Sequence, residues 1–410
     1  MRSPSILGRL RPSPFVCRSC RAAHGARNLS TSHPPAPPTP PTAGLATLSS
    51  RRLISVWGPD AARYLQGVIT ASITTPDDAR PRLDAFYTTF LNAQGRVLHD
   101  VFIYPDTLAA AADTDTAAAA AAEPGQRFLV EVDAAEAERL ERHIRRYKLR
   151  ARFGVRLLDP AEATVWHAWD DGAASSPPPP AAAAGPTTQL RLRDPRAPGL
   201  GTRFVTARGR RPAVDADAAD ESAYRVRRYL LGVPEGQAEL LHAQALPLES
   251  NADVMGAVDF RKGCYVGQEL TIRTRHRGVV RKRVLPCLVY PEDRAPPSVL
   301  AYRPADAAGD DGAVDAAALP AETSIGRAGR KGRSAGRWLC GVGNVGLALC
   351  RLETMTDIIL PGETAAGGGY SPEDEFVMAG SLGGDDLGFS VKVKAFVPDW
   401  LRKALAEQTG

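Results

Sequence analysis

One cysteine in this sequence stands in a setting that suits thiolate chemistry. Cys264 lies between Gly263 and Tyr265, with Lys262 and Gly267 close by. A thiol binds soft metals or attacks an electrophile only as the thiolate, and neighbouring cations favour that form. Flanking glycines carry no side chain that could cover the sulfur. The sequence therefore predicts a functional thiol at Cys264; the alternative is a small residue packed in a tight turn.

Basic residues crowd around this cysteine in the sequence. Between residues 261 and 283 a single acid, Glu269, stands against eight basic residues: Arg261, Lys262, Arg273, Arg275, Arg277, Arg281, Lys282 and Arg283. Such a run predicts a positive surface that docks an acidic partner or a polyanionic ligand, and the alternative is a solvated face of a strand and a helix. The predicted docking residues are Arg261, Arg273, Arg275 and Arg277.

The residues beside Cys264 are predicted to support its loop. We expect Tyr265 to support it by packing and Gln268 by hydrogen bonds to the backbone. Glu269 is placed to cap the basic run, or to pair with Arg273 four residues later if the segment is helical. Gly263 and Gly267 are expected where the backbone needs a positive φ or a close approach.

The remaining cysteines and histidines argue against other thiol chemistry. A hydrolase nucleophile needs a positioned base and an oxyanion hole, and His276, inside the basic run, is the only histidine near Cys264 in the sequence. Cys287, Cys340 and Cys350 lie in apolar, strand-like surroundings, which predicts buried, inert thiols. Cys17 and Cys20 have a Cys-x-x-Cys spacing in the N-terminal tail, which we interpret as coincidence.

The net charge of the chain is misleading as a guide to its partners. The formal charge is +5, but residues 1–33 contain six arginines and no acid. Without those six arginines the chain carries 45 basic and 46 acidic residues. A globally basic nucleic-acid-binding protein is therefore excluded, and the positive charge is local.

The N-terminal region has the composition of a targeting segment. Residues 1–33 are rich in Arg and Ser and free of acids, which predicts a mitochondrial presequence and a matrix location; the alternative is a disordered basic tail. Residues 34–47 begin with a proline-rich run and are predicted to be a linker. No run of about 18 apolar residues is present, so we expect no membrane span.

The pattern of elements predicts an α+β fold. Short strands alternate with helices through the first half, for example a helix over residues 60–68 capped by Asp60 and a helix over 221–231. Mainly strand-like segments follow Cys264, including residues 338–352 and 389–396, which suggests a small C-terminal β-barrel. A low-complexity insertion is expected at about residues 292–334.

The segment Lys262–Glu269, KGCYVGQE, resembles the signature of the YgfZ family, which is related to the folate-dependent aminomethyltransferase (T-protein) of glycine cleavage. Four other segments carry the same resemblance: residues 91–100, 228–236, 246–251 and 343–349. The similarity runs from about residue 48 to about 405 and is greatest to the mitochondrial branch, the Iba-type iron–sulfur cluster assembly factors. It implies a T-protein-like folate-binding-type body of antiparallel sheets and helices over residues 48–284, followed by a β-barrel over 285–405.

The resemblance also implies a function. It points to a matrix factor that matures four-iron four-sulfur proteins together with A-type iron–sulfur scaffold proteins. Cys264 matches the motif cysteine, and one thiolate can complete the ligand set of a cluster that a partner shares. The cofactor implied is therefore a transient, shared iron–sulfur cluster.

The alternative reading is a tetrahydrofolate-dependent one-carbon (aminomethyl) transferase. Asp100 matches a catalytic aspartate of the aminomethyltransferases. The alternative interpretation is a structural residue on an edge strand, facing solvent. Relatives that bind folate have a glutamate at the position of Leu230, and leucine cannot accept hydrogen bonds from a pterin. This departure argues against folate turnover. A third class, a structural adaptor, predicts that the Cys264 thiol is dispensable.

Overall fold

The computed structural model describes residues 36–74, 81–108, 126–172, 188–304, 314–329, 332–360, 369–381 and 388–409. The predicted presequence, residues 1–33, lies outside the described residues, as do Cys17 and Cys20. Among the described residues, no helix is both long and apolar enough to cross a membrane.

Two five-stranded sheets build the N-terminal body. The first has the strand order β10-β1-β7-β9-β8 and consists of β1 (Ala43–Thr47), β7 (Ala163–Asp170), β8 (Gln189–Arg193), β9 (Thr202–Ala207) and β10 (Ala218–Ala219). The second has the order β3-β4-β5-β2-β6 and consists of β2 (Arg51–Trp57), β3 (Phe86–Leu91), β4 (Val97–Pro105), β5 (Arg127–Asp133) and β6 (Gly154–Leu157). Neighbouring strands run antiparallel except β1 and β10, which are parallel.

The second sheet is buried on both faces, and this determines its composition. Along β4, Val101 and Ile103 pack with the helices on one side, whereas Phe102 and Tyr104 pack toward the first sheet. Successive side chains of a strand point to opposite faces, so a strand covered on both sides reads as a continuous apolar run. A charged side chain in such a strand, for example Asp100, must therefore find its partners inside the protein.

Among the described residues, four helices belong to this body: α1 (Ala61–Val68), α2 (Ala137–Tyr147), α3 (Glu221–Leu231) and α4 (Gln268–Arg277). A 3₁₀ turn, Ala134–Glu136, precedes α2. Gly232 ends α3 with φ 70°, as its glycine predicts. Asp60 occupies the predicted N-cap position, but its carboxylate accepts a hydrogen bond from the backbone N–H of Arg152 (2.7 Å) and not from α1.

The C-terminal part is a closed barrel with the strand order β11-β14-β13-β12-β15-β16. Its strands are β11 (Lys282–Tyr290), β12 (Ser324–Arg327), β13 (Gly336–Val342), β14 (Val345–Arg351), β15 (Phe376–Ser381) and β16 (Gly388–Ala395). A short helix, α5 (Leu352–Met355), follows β14, and α6 (Asp399–Thr409) ends the described chain. The fold class predicted from the sequence is confirmed.

Two segments contain more structure than their composition indicates. Strand β1 lies within residues 34–47, which the sequence assigns to a linker, and it pairs with β7 and β10 in the first sheet. Strand β12 lies within the expected insertion at residues 292–334 and pairs with β13 and β15. Short strands are stabilised by long-range pairing, which local composition does not report.

The barrel is joined to the body at specific contacts. The Arg283 guanidinium, buried at the start of β11, donates to the Asp253 carboxylate (2.7 Å), and Asn251 Nδ2 donates to the carbonyl oxygen of Val284 (2.7 Å). Trp400, near the start of α6, donates its indole N–H to the carbonyl oxygen of Leu231 (3.0 Å). These contacts fix β11 against residues 251–253 and α6 against the end of α3.

Candidate functional site

The Cys264 loop, residues 261–267, lies directly before α4. The thiol of Cys264 is free and exposed, and Val266 beside it is 43 % exposed. Among the described cysteines Cys264 alone is exposed; Cys287 and Cys350 are buried, and Cys340 is half-buried. Cys264 is therefore the thiol in the described chain that a second protein can reach.

The loop is attached along the end of α1. The Val266 backbone N–H donates to the carbonyl oxygen of Gly67 (3.0 Å), and the Asp259 N–H donates to that of Thr70 (3.0 Å). The last carbonyl groups of a helix have no partner within the helix, so this segment offers free acceptors. The loop thus supplies hydrogen-bond donors to carbonyl groups that α1 cannot pair itself.

Lys262 makes the strongest attachment. Its ammonium group donates to three backbone carbonyl oxygens, those of Gln66 (2.8 Å), Ile69 (2.6 Å) and Ala71 (2.9 Å). An ammonium group has three N–H donors, so all are used in holding the loop. Burial lowers the pKa of Lys262 to about 8. Lys262 therefore anchors the loop. The sequence had suggested a different role, in which its charge favours the thiolate form of Cys264.

Tyr265 and Gln268 support the loop from inside. The Tyr265 side chain is buried against Leu91 and Val97, and its backbone N–H donates to Gln268 Oε1 (3.1 Å). These are the packing contact and the backbone hydrogen bond expected of the two residues. Because Tyr265 is fixed and Cys264 precedes it, the exposed thiol is carried on a rigid base.

The two glycines of the motif behave differently. Gly267 has φ 81°, and a Cβ there would meet the carbonyl oxygen of Asn92 at 2.2 Å, so both expected reasons for glycine apply. Gly263 has no positive φ, and a Cβ there would meet no atom within 4 Å. The expectation of a backbone need is wrong for Gly263, which leaves open space beside the thiol instead.

The basic residues divide into two groups. The basic residues of the second part of the run form ion pairs with half-buried or buried acids. Arg281 pairs with Glu353 (3.2 Å), Lys282 with Glu249 (3.8 Å) and Arg283 with Asp253 (2.7 Å). These residues fasten the start of the barrel.

The other group stays at the surface. The side chains of Arg261, Arg273 and Arg275 are exposed, and the Arg275 guanidinium lies 5.1 Å from the centre of the Phe260 ring. Glu269 is exposed in the first turn of α4, and no ion pair joins it to Arg273 among the described residues. The side chain of Arg277 lies outside the described residues. In the described part of the chain, the predicted docking residues that lie exposed near Cys264 are therefore Arg261, Arg273 and Arg275.

Asp100, the second predicted site residue, does not face solvent. Its side chain is fully buried, and Oδ2 lies 3.3 Å from Nη1 of Arg51. Oδ1 accepts hydrogen bonds from the backbone N–H of Gly236 (3.0 Å) and from Gln237 Nε2 (3.4 Å). Both carboxylate oxygens of Asp100 thus have partners within the protein. Asp100 is neither a solvent-facing residue on an edge strand nor an open catalytic acid.

Asp100 belongs to a buried charge network that sequence reasoning missed. Its other members are Arg51, Glu131, Asp194, Arg196, Arg203, Arg228, Glu235 and Glu239, all of them buried. Arg203 joins Glu131 (2.6 Å) to Glu235, and Arg196 joins Asp194 (2.7 Å) to Glu235 (2.8 Å). Burial raises the pKa of the Glu235 carboxyl, but the guanidinium groups of Arg203, Arg196 and Arg228 outweigh it and hold that pKa well below its usual range.

A signal for this network is present in the sequence. Glu131 interrupts the apolar run Phe-Leu-Val-Glu-Val of β5, and Arg203 directly precedes the buried pair Phe204 and Val205 of β9. A charge at a position whose neighbours are all buried indicates a buried, paired group. What the sequence does not show is which charges meet, because the partners are up to 80 residues apart along the chain.

A cavity of about 310 Å³ adjoins the network. Its polar lining includes Glu221, Arg225, Arg228, Glu239 and Cys340, and Asp100 is not among the lining residues. Leu230 lies in α3, half-buried against an apolar cluster. Neither Asp100 nor Leu230 therefore offers an open polar group to a pterin.

Of the barrel thiols, Cys340 lines this cavity, whereas Cys287 and Cys350 are buried in the barrel. Cys287 and Cys350 lie with their sulfur atoms 3.8 Å apart in the barrel core, and the Tyr229 hydroxyl donates to Cys340 Sγ (3.1 Å). Burial raises the pKa of Cys287 and of Cys340 well above the usual range of a thiol. They agree with the prediction of inert thiols.

Comparison with known proteins places this fold and motif in context. Residues 281–403 match the family model of the CAF17 C-terminal beta-barrel domain. Over 402 residues the chain is 57 % identical to a Pyricularia oryzae protein named iron–sulfur cluster assembly factor IBA57 homolog, mitochondrial, covering 97 % of this chain and 95 % of that protein. Proteins of the same name from Chaetomium globosum and Neurospora crassa are 54 % and 48 % identical, covering 97 % and 95 % of this chain and 94 % and 88 % of theirs.

Among solved structures, the chain is similar to the glycine cleavage system aminomethyltransferase T from Bartonella henselae. The TM-score is 0.54 at 12 % sequence identity, with 87 % of this chain and 86 % of the other covered. At this identity the likeness concerns the fold alone, and it confirms the T-protein-like body expected from the sequence.

Proposed function

We propose, from the fact that this chain belongs to the IBA57 family of mitochondrial iron–sulfur cluster assembly factors, that Cys264 supplies one ligand to an iron–sulfur cluster shared with a partner protein. The protein is mitochondrial, and we assign it to the matrix. There it promotes the maturation of four-iron four-sulfur proteins. The cluster is the cargo of this activity and not a resident cofactor.

The observation that supports the proposal is the exposed thiol on a fixed loop. Lys262, Tyr265 and Val266 attach the loop to α1 and to the β3–β4 hairpin, while Cys264 itself stays exposed. A ligand that must meet a metal centre on another protein has to be reachable from outside. It also has to be held in place beforehand, because ordering a loop during binding costs affinity.

The other ligands are assigned to the partner. Iron–sulfur clusters are held mostly by four cysteine thiolates. A metal site needs at least three ligand atoms from His, Cys, Asp or Glu close together. Among the described residues one such set is present, and it does not include Cys264. A single thiolate here therefore suits a cluster whose remaining ligands come from an A-type iron–sulfur scaffold protein.

The partner is proposed to dock through charge. Arg261, Arg273 and Arg275 are exposed and lie within eleven residues of Cys264 in the sequence, on the loop and on α4. Complementary charges around a contact raise the rate of association and orient the partners. An acidic rim on the scaffold protein would meet this surface and bring its cluster to Cys264.

The proposal is tested by anaerobic reconstitution. The mature chain is mixed with an A-type scaffold protein, ferrous iron and sulfide, and the complex is isolated by gel filtration. Cys264→Ser is expected to lose the cluster absorbance of the complex, whereas Cys340→Ser, in the half-buried thiol, retains it. Equal cluster content in Cys264→Ser and in the unmodified chain would reject the ligand role.

The transferase alternative receives no support from the site. Asp100 is ion-paired and fully buried, and Leu230 has no hydrogen-bonding group to offer a pterin. Calorimetric titration with tetrahydrofolate is expected to give no heat of binding. Micromolar binding that Asp100→Asn abolishes would reinstate the alternative.

A further inference from the structure

Three potential metal ligands converge in the body, apart from the Cys264 loop. His99, Glu136 and His242 each offer a ligand atom, and these three atoms lie within 4.8 Å of one another. His99 is on β4, and Glu136 is the last residue of the 3₁₀ turn before α2. His242 comes from the segment after α3, which runs beside β4 through hydrogen bonds between Val97 and residues 243 and 245 (2.8 and 2.9 Å).

One of the two ring nitrogens of His99 lacks a hydrogen-bond partner. The side chain is 1 % exposed, and Nδ1 is buried without a hydrogen bond. Leaving a buried polar atom unsatisfied costs about 1–3 kcal/mol, so native proteins keep few such atoms without a reason. A neutral imidazole nitrogen with a free lone pair is a metal ligand.

The other two residues are oriented for the same role. His242 Nδ1 donates to the carbonyl oxygen of Leu98 (2.9 Å), which fixes the ring beside β4. Metal-binding histidines commonly donate one ring N–H to a backbone carbonyl, and this bond leaves Nε2 as the lone-pair nitrogen. Glu136 Oε2 lies 3.9 Å from the same nitrogen, Nδ1 of His242, and accepts from Nη1 of Arg139 (2.9 Å), so the His242 ring must rotate to present Nε2. The Arg139 side chain is 54 % exposed, so it can turn to solvent when a cation takes its place.

We propose that His99, Glu136 and His242 bind one divalent transition metal ion of the zinc or ferrous type. Two imidazoles and one carboxylate are a ligand set that both ions use, whereas magnesium and calcium select all-oxygen sites. Metal–ligand bonds of about 2.1 Å require ligand atoms no more than about 4.2 Å apart. Small rotations of the half-buried Glu136 and His242 side chains therefore complete the site. A fourth position stays open for water.

This site is independent of the cluster chemistry proposed for Cys264, and its test keeps them separate. The full chain carrying Cys264→Ser is used as the parent, so that the exposed thiol cannot bind the probe. Co²⁺ binding is followed by visible absorption after removal of metal with a chelator, and Zn²⁺ binding by competition with a chromophoric chelator. Glu136→Gln and His242→Gln are compared with this parent, because both side chains are partly exposed and tolerate replacement better than His99.

The expected result is one equivalent of Co²⁺ and of Zn²⁺ in the parent, with affinity at least tenfold lower in Glu136→Gln and His242→Gln. His143→Gln is the matched control, since it removes a neighbouring histidine that is outside the ligand set, and it is expected to bind as the parent does. Circular dichroism of each variant confirms that it is folded. Less than one equivalent in the folded parent, or parental affinity in His242→Gln, overturns the proposal.

Discussion

Gly267 of the Cys264 loop lies directly against Gly95 of the β3–β4 hairpin. A Cβ on Gly267 would meet the Gly95 Cα at 3.2 Å, and a Cβ on Gly95 would meet the carbonyl oxygen of Gly267 at 2.8 Å. Each glycine thus permits the close approach of the other. The hairpin and the start of α4 form one packed unit, and Cys264 extends from it into solvent.

This relationship predicts unequal effects of alanine at the two glycines of the motif. Gly267→Ala places a Cβ 2.2 Å from the carbonyl oxygen of Asn92 in a left-handed backbone conformation, and is expected to cost about 1–3 kcal/mol of unfolding free energy. Gly263→Ala, in open space, is expected to change stability by no more than about 0.5 kcal/mol. Urea denaturation of both variants measures the difference; equal losses would show that the hairpin contact does not constrain the loop.

Lys262 is predicted to act by attachment of the loop. Lys262→Met leaves three backbone carbonyl groups at the end of α1 without their donor, and is expected to cost about 1–3 kcal/mol locally. Amide hydrogen exchange across residues 66–71 and 262–268 should then be faster by about tenfold or more.

Lys403→Met, on the exposed side of α6, serves as the control and should leave exchange in these segments unchanged. Unaltered exchange in Lys262→Met would contradict the anchoring role.

The buried charge network is predicted to make stability sensitive to single charges. Glu235→Gln removes the carboxylate that joins Arg196 and Arg203, and leaves both guanidinium groups short of a counter-charge. Breaking a buried ion pair from one side costs about 3–5 kcal/mol. Arg337→Met, which breaks the exposed pair with Glu322, should cost no more than about 1 kcal/mol.

Acid should reduce the difference between Glu235→Gln and the unmodified chain. The pKa of Glu235 is lower in the folded than in the unfolded protein, so its stabilisation is present above the ordinary glutamate value of 4.5 and is lost as pH falls below it. Unfolding free energies measured from neutral pH downward should therefore converge. Parallel curves would mean that Glu235 is not the titrating group.

The exposed arginines are predicted to steer the partner. Arg273→Glu should lower the rate of association with an acidic A-type scaffold roughly tenfold at low salt, and added salt should reduce this difference. Arg150→Glu reverses an exposed charge outside the loop and α4, and is expected to have little effect. Stopped-flow measurements over a salt series test this, and a loss that is equal in both variants would point to net charge and not to the docking surface.

Local patterns predicted the local structure of the site well. The Asn92 side chain shapes the hairpin by accepting from the backbone N–H groups of Gln94 and Arg96 (3.0 and 2.9 Å), and the sequence there indicates a turn. The packing of Tyr265 and the exposure of Cys264 were also within reach, because both follow from residue type and neighbours.

Long-range contacts were not predictable in the same way. The ammonium of Lys262 bonds carbonyl groups nearly 200 residues earlier in the chain, and β1 gains its stability from pairing with β7. Nothing in the composition around these residues specifies the partner. The same holds for His99, whose companions Glu136 and His242 are brought to it only by the fold.

The most direct test of the central claim is the reactivity of the Cys264 thiol toward an alkylating reagent, read by mass spectrometry. The complex with an A-type scaffold protein is compared in its metal-free and cluster-loaded forms under anaerobic conditions. A sulfur bound to iron cannot be alkylated, whereas docking alone shields it equally in both forms. We predict protection of Cys264 only in the cluster-loaded complex; equal labelling with and without the cluster would contradict the account.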